Sequence, residues 1–160
     1  MGNGISFQRD ETAVLFRRYA DTVYRLAYAR VKNQYDADDI LQEVFLRFLR
    51  SKNPPQDEEH TKALLLRITL NCSKSFFTTA ARRHNVPLTD TVAQPPENRE
   101  TLDAVLRLPK KYRTVLHLHY YCGYSIDEIA ELLRQNPSTV KSQLHRAREK
   151  LRVALKGVEF

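Results

Sequence analysis

Apolar residues recur along this chain at steps of three and four, which is the spacing of an amphipathic α-helix. The pattern predicts helices over residues 11–32, 36–49 and 61–83, and again over 108–122, 126–133 and 137–151. Asp36 is predicted to cap the second helix, and the pair Pro54 and Pro55 stops its continuation. Only 4 glycines occur in 160 residues, against an average share of about 7%. Tight-turned β architectures are therefore disfavoured, and the chain is predicted to be all-α.

Residues 84–101 have the composition of a linker, because they contain three prolines, many polar residues and few large apolar side chains. We therefore predict two small helical modules, over residues 1–83 and 102–160, joined by a flexible linker over 84–101. Modules of this length can build only modest hydrophobic cores.

Local signals in the second module predict a helix-turn-helix. Ser125 and Glu128 have the spacing of a capping box at the start of a short helix. After a turn at residues 134–136, Asn136 is predicted to cap the next helix, with Pro137 in its first position, where a missing N–H has no cost. In such a motif the second helix enters the major groove of DNA.

The last helix has one apolar face and one polar, basic face. Its predicted buried residues follow steps of four, three and four: Val140, Leu144, Ala147 and Leu151. Residues 134–156 carry seven basic side chains and one acidic one, an imbalance that a plain helical hairpin does not need. Arginine and lysine can bind guanine edges or phosphates, and serine and glutamine can bind several bases. The predicted DNA-binding residues are Ser138, Thr139, Lys141, Ser142, Gln143, His145, Arg146 and Arg148.

The positive charge is concentrated in two blocks. The net charge of the chain is +7, and residues 61–83 and 102–160 each carry +5. Clustered positive charge is typical of proteins that bind polyanions, although solvated helix faces without a ligand give the same pattern. In the third helix, Phe76 and Phe77 lie beside basic residues and could stack on unpaired bases, but a place in the core is favoured.

Two separate stretches resemble one protein family. The segment Asp36-Ala37-Asp38-Asp39-Ile40-Leu41-Gln42-Glu43-Val44-Phe45 resembles the acidic helix of extracytoplasmic-function (ECF) RNA polymerase sigma factors. The segments Ser125-Ile126-Asp127-Glu128-Ile129-Ala130 and Thr139-Val140-Lys141-Ser142-Gln143-Leu144-His145-Arg146-Ala147-Arg148 resemble the promoter-binding helix-turn-helix of that family. The resemblance covers residues 11–83 and 102–156, and the two motifs occur in the family's order.

The resemblance implies a sigma factor that binds core RNA polymerase and directs initiation at promoters with specific minus-10 and minus-35 elements. It implies that the acidic helix docks on the β′ clamp helices of the polymerase through Asp38, Asp39, Gln42 and Glu43. It also implies that the third helix and the loop before it hold the minus-10 element, with contacts from Arg67, Asn71 and Lys74. An anti-sigma factor that masks both modules is a further implied partner.

This chain departs from the family pattern around the third helix. Leu64 stands where tryptophan is usual and Ser75 replaces a common aspartate. The loop over residues 53–57 lacks the aromatic residue that often covers a flipped base. The expectation is therefore either recognition of an unusual minus-10 sequence or inefficient melting of the promoter.

Catalysis and metal binding have little support in the sequence. A Gly-rich phosphate loop, a GxSxG motif and an HExxH motif are all missing, so neither enzyme activity nor a cofactor is expected. His117, His119 and Cys122 resemble a metal cluster, but residues two apart on a helix point to nearly opposite sides. Cys72 and Cys122 are instead predicted to be separate, buried thiols.

The sequence has no run of 18 apolar residues and does not begin like a signal peptide, so a cytoplasmic protein without membrane insertion is expected. The family resemblance implies that the protein is bacterial. Two other functions remain open at this point. One is a helix-turn-helix regulator that acts without polymerase. The other is a helical adaptor whose basic faces bind an acidic protein.

Overall fold

The computed structural model describes residues 9–51, 55, 57–80 and 96–155, and these residues form seven α-helices and no strand. They are α1 (Arg9–Val31), α2 (Gln34–Leu49), α3 (Glu58–Ala80), α4 (Pro96–Leu106), α5 (Lys110–Leu116), α6 (Ile126–Leu133) and α7 (Pro137–Ala154). The helices belong to two compact units, one before residue 88 and one from residue 88 onwards. The predicted all-α class and the two helical modules are confirmed.

Helix α4 covers residues 96–101 of the predicted linker. It begins at Pro96, and proline is favoured in the first turn of a helix because its missing N–H would have no intrahelical partner there. Residues 84–95 of the predicted linker and residues 81–83 of the predicted third helix lie outside the described residues.

In unit 1, each of the helices α1, α2 and α3 packs against the other two. The largest fully buried side chains come from all three helices: Val23, Leu26, Ile40, Val44, Phe48, Leu65 and Leu66. A buried polar contact joins α1 to α3, because the Nε of Arg30 donates a hydrogen bond to the Oγ of Ser73 at 2.9 Å. Cys72 is a buried free thiol in this core, as predicted, and its burial raises its pKa.

The start of α2 differs from the prediction. Lys32 adopts a left-handed backbone conformation, with φ of 57°, directly after α1. Asn33 is the N-cap, and its Oδ1 accepts a hydrogen bond from the backbone N–H of Asp36 at 3.1 Å. The prediction that Asp36 caps α2 is wrong. Asp36 lies in the first turn, where a carboxylate interacts favourably with the helix dipole.

In unit 2, the helix-turn-helix is confirmed. Helix α5 continues into a π-helical turn over His117–Tyr121, and Gly123 follows with φ of 79°, a conformation that glycine adopts without strain. The capping box of Ser125 and Glu128 is present in both directions. Asn136 caps α7, with Pro137 as its first residue. Cys122 is a buried free thiol, also as predicted.

Helix α7 is held in place by the four side chains that the sequence pattern predicts to be buried. Val140, Leu144, Ala147 and Leu151 are all buried, and α7 packs against α5 and α6. The opposite face of α7 is therefore turned away from the core of the unit.

Candidate protein-binding and nucleic-acid-binding surfaces

Helix α2 presents a polar stripe on the side opposite the core. It buries Ala37, Ile40, Val44, Phe45 and Phe48, and so Asp38, Asp39 and Gln42 are exposed. We name Asp38, Asp39, Gln42 and the half-buried Glu43 the acidic stripe. All four predicted polymerase-contacting residues thus lie at or near the solvent surface of one helix.

Large exposed apolar side chains flank the acidic stripe. On α2, Tyr35 is 69% exposed and Leu46 is 46% exposed. On α1, Phe16 is exposed, and the centre of its ring lies 5.0 Å from the centre of the Phe45 ring in α2. A solvent-exposed surface that mixes carboxylates with apolar groups in this way is typical of a protein-docking site. Phe16 is a part of this surface that the sequence pattern did not predict.

Within the acidic stripe, Glu43 differs from its neighbours because it has an ion-pair partner. Its Oε2 accepts a hydrogen bond from the Nε of Arg47 at 2.8 Å, and this bond raises the pKa of Arg47. Asp38 and Asp39 form no ion pair within the part of the chain that the structure describes. The i,i+4 spacing of Glu43 and Arg47 is the sequence signal that predicts this pair.

The three predicted minus-10 residues lie on one face of α3, at steps of four and three. Asn71 and Lys74 are exposed, whereas Arg67 is partly buried. The Nε of Arg67 is buried and has no hydrogen-bond partner among the described residues. Phe76 packs against the core of unit 1, which agrees with the favoured core interpretation. The side chain of Phe77 and residues 52–54 and 56 of the preceding loop lie outside the described residues.

A charged pair marks the start of α3, next to that loop. The Oδ1 of Asp57 accepts a hydrogen bond from the backbone N–H of His60 at 2.8 Å, and its Oδ2 lies 2.7 Å from the Nδ1 of His60. The backbone hydrogen bond is the main reason why the pKa of Asp57 is lowered. The hydrogen bond between the side chains raises the pKa of His60.

The predicted DNA-binding residues of α7 differ in how far their side chains are exposed to solvent. Six are exposed: Ser138, Thr139, Lys141, Ser142, His145 and Arg146. Gln143 and Arg148 are partly buried at the edges of this face. The hydroxyl of Ser138 donates to the Oδ1 of Asn136 at 3.2 Å and so supports the helix cap.

Arg148 has a partner that the sequence did not reveal. Its Nε donates a hydrogen bond to the hydroxyl of Tyr120, and its guanidinium carbon lies 5.5 Å from the centre of the Tyr120 ring. Tyr120 belongs to the π-helical turn and is 56% exposed. The two residues are 28 positions apart, so no short-range sequence rule predicts the contact.

The suspected metal cluster does not form around His119. Its Nδ1 lies 2.8 Å from the carbonyl oxygen of Tyr124, a hydrogen bond in which the ring nitrogen must be the donor. Among the described residues, no three side chains of the His, Cys, Asp or Glu types come together at a metal-binding distance. Within the same residues, no helix combines the length and apolar composition needed to cross a lipid bilayer.

Two family profiles match the chain, one in each unit. "Sigma-70 region 2" matches residues 15–83, and "Sigma-70, region 4" matches residues 98–151. RNA polymerase sigma factor SigV of Bacillus subtilis (strain 168) is 30% identical over 139 residues, which cover 82% of this chain and 83% of SigV. ECF RNA polymerase sigma factor SigX of the same organism is 30% identical over 156 residues, which cover 87% of this chain and 80% of SigX.

Among solved structures, the chain is similar to the sigma factor RpoE of Bartonella quintana, crystallised in complex with the anti-sigma factor NepR. The TM-score is 0.76 at 18% identity, over 92% of this chain and 98% of that one. This likeness concerns the fold.

Proposed function

This chain belongs to the ECF group of the sigma-70 family of RNA polymerase sigma factors, and we propose that its two units divide the recognition of polymerase and promoter between them. It directs promoter-specific transcription initiation. A helix-turn-helix regulator that acts without polymerase is not favoured, because it leaves the region 2 match in residues 15–83 without a role. Sigma factors are not enzymes, and we assign recognition rather than catalysis to the chain. We infer that it acts in the bacterial cytoplasm, where RNA polymerase works.

Unit 1 docks on the β′ clamp helices of core RNA polymerase through the acidic stripe. The observation that carries this proposal is the exposure of Asp38, Asp39 and Gln42 on the side of α2 opposite its buried residues. Asp38 and Asp39, which form no ion pair among the described residues, are available for basic groups on another protein, and the flanking Tyr35 and Leu46 supply apolar contact area.

Unit 2 binds the minus-35 element through α7. The buried stripe of α7 fixes the helix against α5 and α6, and so Lys141, Ser142 and Arg146 project from its free face. Arg146 and Lys141 are suited to guanine edges, and Ser142 can bond to several bases. Arg148, at the edge of this face, is suited to a backbone phosphate.

The minus-10 element is bound by α3 through Arg67, Asn71 and Lys74. The exposed Asn71 and Lys74 can approach a single strand from one face of the helix, and the partly buried Arg67 lies on the same face. Bases removed from the stack need such compensating contacts, because unstacking costs a few kcal/mol.

An anti-sigma factor is the remaining partner of the proposal. The Bartonella quintana sigma factor that shares this fold was crystallised with the anti-sigma factor NepR. In our chain, the exposed apolar side chains of α1 and α2 beside the acidic stripe offer a surface that such an inhibitor would cover. Covering it would exclude the polymerase.

Binding to core polymerase tests the proposal directly. Wild-type chain, an Asp39→Asn/Gln42→Ala variant and a Glu11→Gln control are each mixed with core enzyme and analysed by size-exclusion chromatography. Glu11 is an exposed acid on α1 outside the acidic stripe, so its substitution removes the same charge as Asp39→Asn. We expect the wild type and the control to co-elute with core enzyme, and the double variant to elute alone. A wild type that neither co-elutes nor supports transcription from any promoter would refute the proposal.

A further inference from the structure

We propose that Tyr120 is a positioning residue that holds the Arg148 guanidinium ready for a phosphate of the minus-35 DNA. The inference rests on the proposed function of unit 2 and adds a residue outside the recognition helix to its DNA-binding surface. It is carried by the contacts between the π-helical turn His117–Tyr121 and the flank of α7.

The π-helical turn holds Tyr120 in a defined place. The backbone N–H of Cys122 bonds to the carbonyl of His117 at 3.0 Å, which closes the wider five-residue turn. The ring of His119 meets the ring of Tyr120 edge to face, with centroids 4.8 Å apart. His119 is itself fixed by its hydrogen bond to the carbonyl of Tyr124. Tyr120 is thus supported from its own backbone and from one side of its ring, although it is 56% exposed.

Tyrosine orients Arg148 without cancelling its charge. Among the described residues Arg148 forms no ion pair, whereas Arg152, one turn further along α7, pairs with Glu149 at 2.7 Å. A tyrosine hydroxyl takes one of the five N–H donors of a guanidinium, and four donors and the full positive charge remain. An ordered cation at the edge of the recognition helix is what a phosphate contact requires.

Preorganisation of the Arg148 side chain determines how strongly the contact with Tyr120 should affect DNA affinity. Ordering a long side chain at an interface lowers affinity by roughly two- to tenfold, and this loss is avoided when the side chain is already held in place. Loss of the Tyr120 hydroxyl should therefore weaken DNA binding within that range. A simple brace between α7 and the π-helical turn would instead affect the stability of unit 2.

The experiment uses the full chain assembled with core enzyme. The probe is a duplex promoter fragment that the wild-type holoenzyme selects from a random-sequence library, and Kd is measured between about 0.05 and 0.3 M salt. Arg148→Ala should reduce the slope of log K against log salt by about 0.9, the value for one phosphate contact. Tyr120→Phe should weaken binding roughly two- to tenfold, and should have no further effect when Arg148→Ala is already present.

Two more variants separate positioning from bracing. Tyr120→Glu can still hold the guanidinium but neutralises it, so positioning predicts that the slope falls by nearly as much as in Arg148→Ala. A brace without a phosphate contact predicts that Arg148→Ala leaves the slope unchanged and lowers the stability of unit 2. Tyr121→Phe is the matched control, because Tyr121 is the next exposed tyrosine and its ring stacks on His117. It should bind like the wild type, and thermal melts should show that every variant is folded.

The possible outcomes distinguish a failure of this inference from a failure of the proposed function. If the wild-type holoenzyme selects no promoter, the proposed function itself fails. If it selects one, and Tyr120→Phe matches the wild type or its effect adds fully to that of Arg148→Ala, the positioning role is refuted and the sigma function stands. An equal loss in Tyr120→Phe and Tyr121→Phe would also refute it.

Discussion

The substitution Glu43→Lys should distinguish a role of Glu43 in docking on polymerase from a role in stabilising α2. In the wild type, Glu43 and Arg47 form an i,i+4 ion pair at 2.8 Å, with both side chains more than 40% exposed. The substitution breaks this pair and places a lysine beside the arginine. If Glu43 docks on a basic surface of the polymerase, the same substitution also reverses the charge at the interface.

The two effects differ greatly in size. An exposed i,i+4 pair contributes about 0.3–0.5 kcal/mol, and a like-charge pair at this spacing costs a similar amount. The free energy of unfolding should therefore fall by at most about 1 kcal/mol, well below the 5–15 kcal/mol typical of a folded domain. Loss of a desolvated interfacial charge pair costs about 2–5 kcal/mol, which weakens binding by roughly 30-fold to a few thousand-fold.

The assay is competition for core enzyme against fluorescently labelled wild-type chain, together with urea unfolding of each variant. Two further variants serve as controls for the helix. Arg47→Gln breaks the same ion pair but keeps the carboxylate, and it should retain core affinity within about threefold. The double variant Glu43→Lys/Arg47→Glu restores an attractive pair in the reverse order, and it should still bind core enzyme poorly.

Two results would refute the docking role of Glu43. The first is recovery of core binding in the double variant, since it would show that the ion pair within α2 was all that mattered. The second is a loss in Arg47→Gln as large as in Glu43→Lys. A change in unfolding free energy much above 1 kcal/mol would mean that Glu43 has a structural role that the exposed geometry does not provide.

Three other predictions concern single residues. Arg146→Ala should cost about 1–3 kcal/mol at the cognate minus-35 element if Arg146 reads a base, and equal weakening on unrelated DNA in a filter-binding assay would make it a phosphate contact only. Ser125→Ala removes one half of the capping box and should destabilise unit 2 by about 0.5–2 kcal/mol in a thermal melt, so an unchanged melt would contradict the role of the cap. Because the pKa of His60 is raised, its pairing with Asp57 should stabilise the fold below about pH 6.5, and this stabilisation should be lost as the pH rises through the pKa of His60 in the folded protein. Because the pKa of Asp57 is lowered, the contribution of Asp57 should be lost in acid. The urea midpoint of the wild type should therefore exceed that of His60→Gln by more at about pH 5.5 than at about pH 8.5, and a constant difference would count against the pairing.

The features that the sequence predicts correctly depend on neighbours along the chain. The capping box of Ser125 and Glu128 and the cap and first residue of α7, Asn136 and Pro137, need only a few residues to define them, and all are present. The buried and exposed faces of α2 and α7 likewise follow from helical periodicity. Periodicity is reliable here because each helix has one core-facing side.

The features that the sequence does not predict depend on backbone conformation or on residues far apart in the chain. Asn33 and Asp36 are both suitable caps, and only the left-handed turn at Lys32 decides between them. The buried Arg30 takes its partner Ser73 from 43 positions away. The hydrogen bond between Tyr120 and Arg148 requires both the π-helical turn and the packing of α5 on α7, and neither is encoded in a local pattern.

The two faces of α7 also bear on how promoter preference can evolve. Its stability comes from the four buried residues that include Leu144, where truncation to alanine would cost about 2–5 kcal/mol. Its exposed positions, such as Lys141 and Arg146, tolerate substitution at about 0.5 kcal/mol or less in folding free energy. If these side chains contact bases as proposed, a lineage can exchange one of them at a time while its promoters drift with it, and no intermediate has to pass through an unfolded protein.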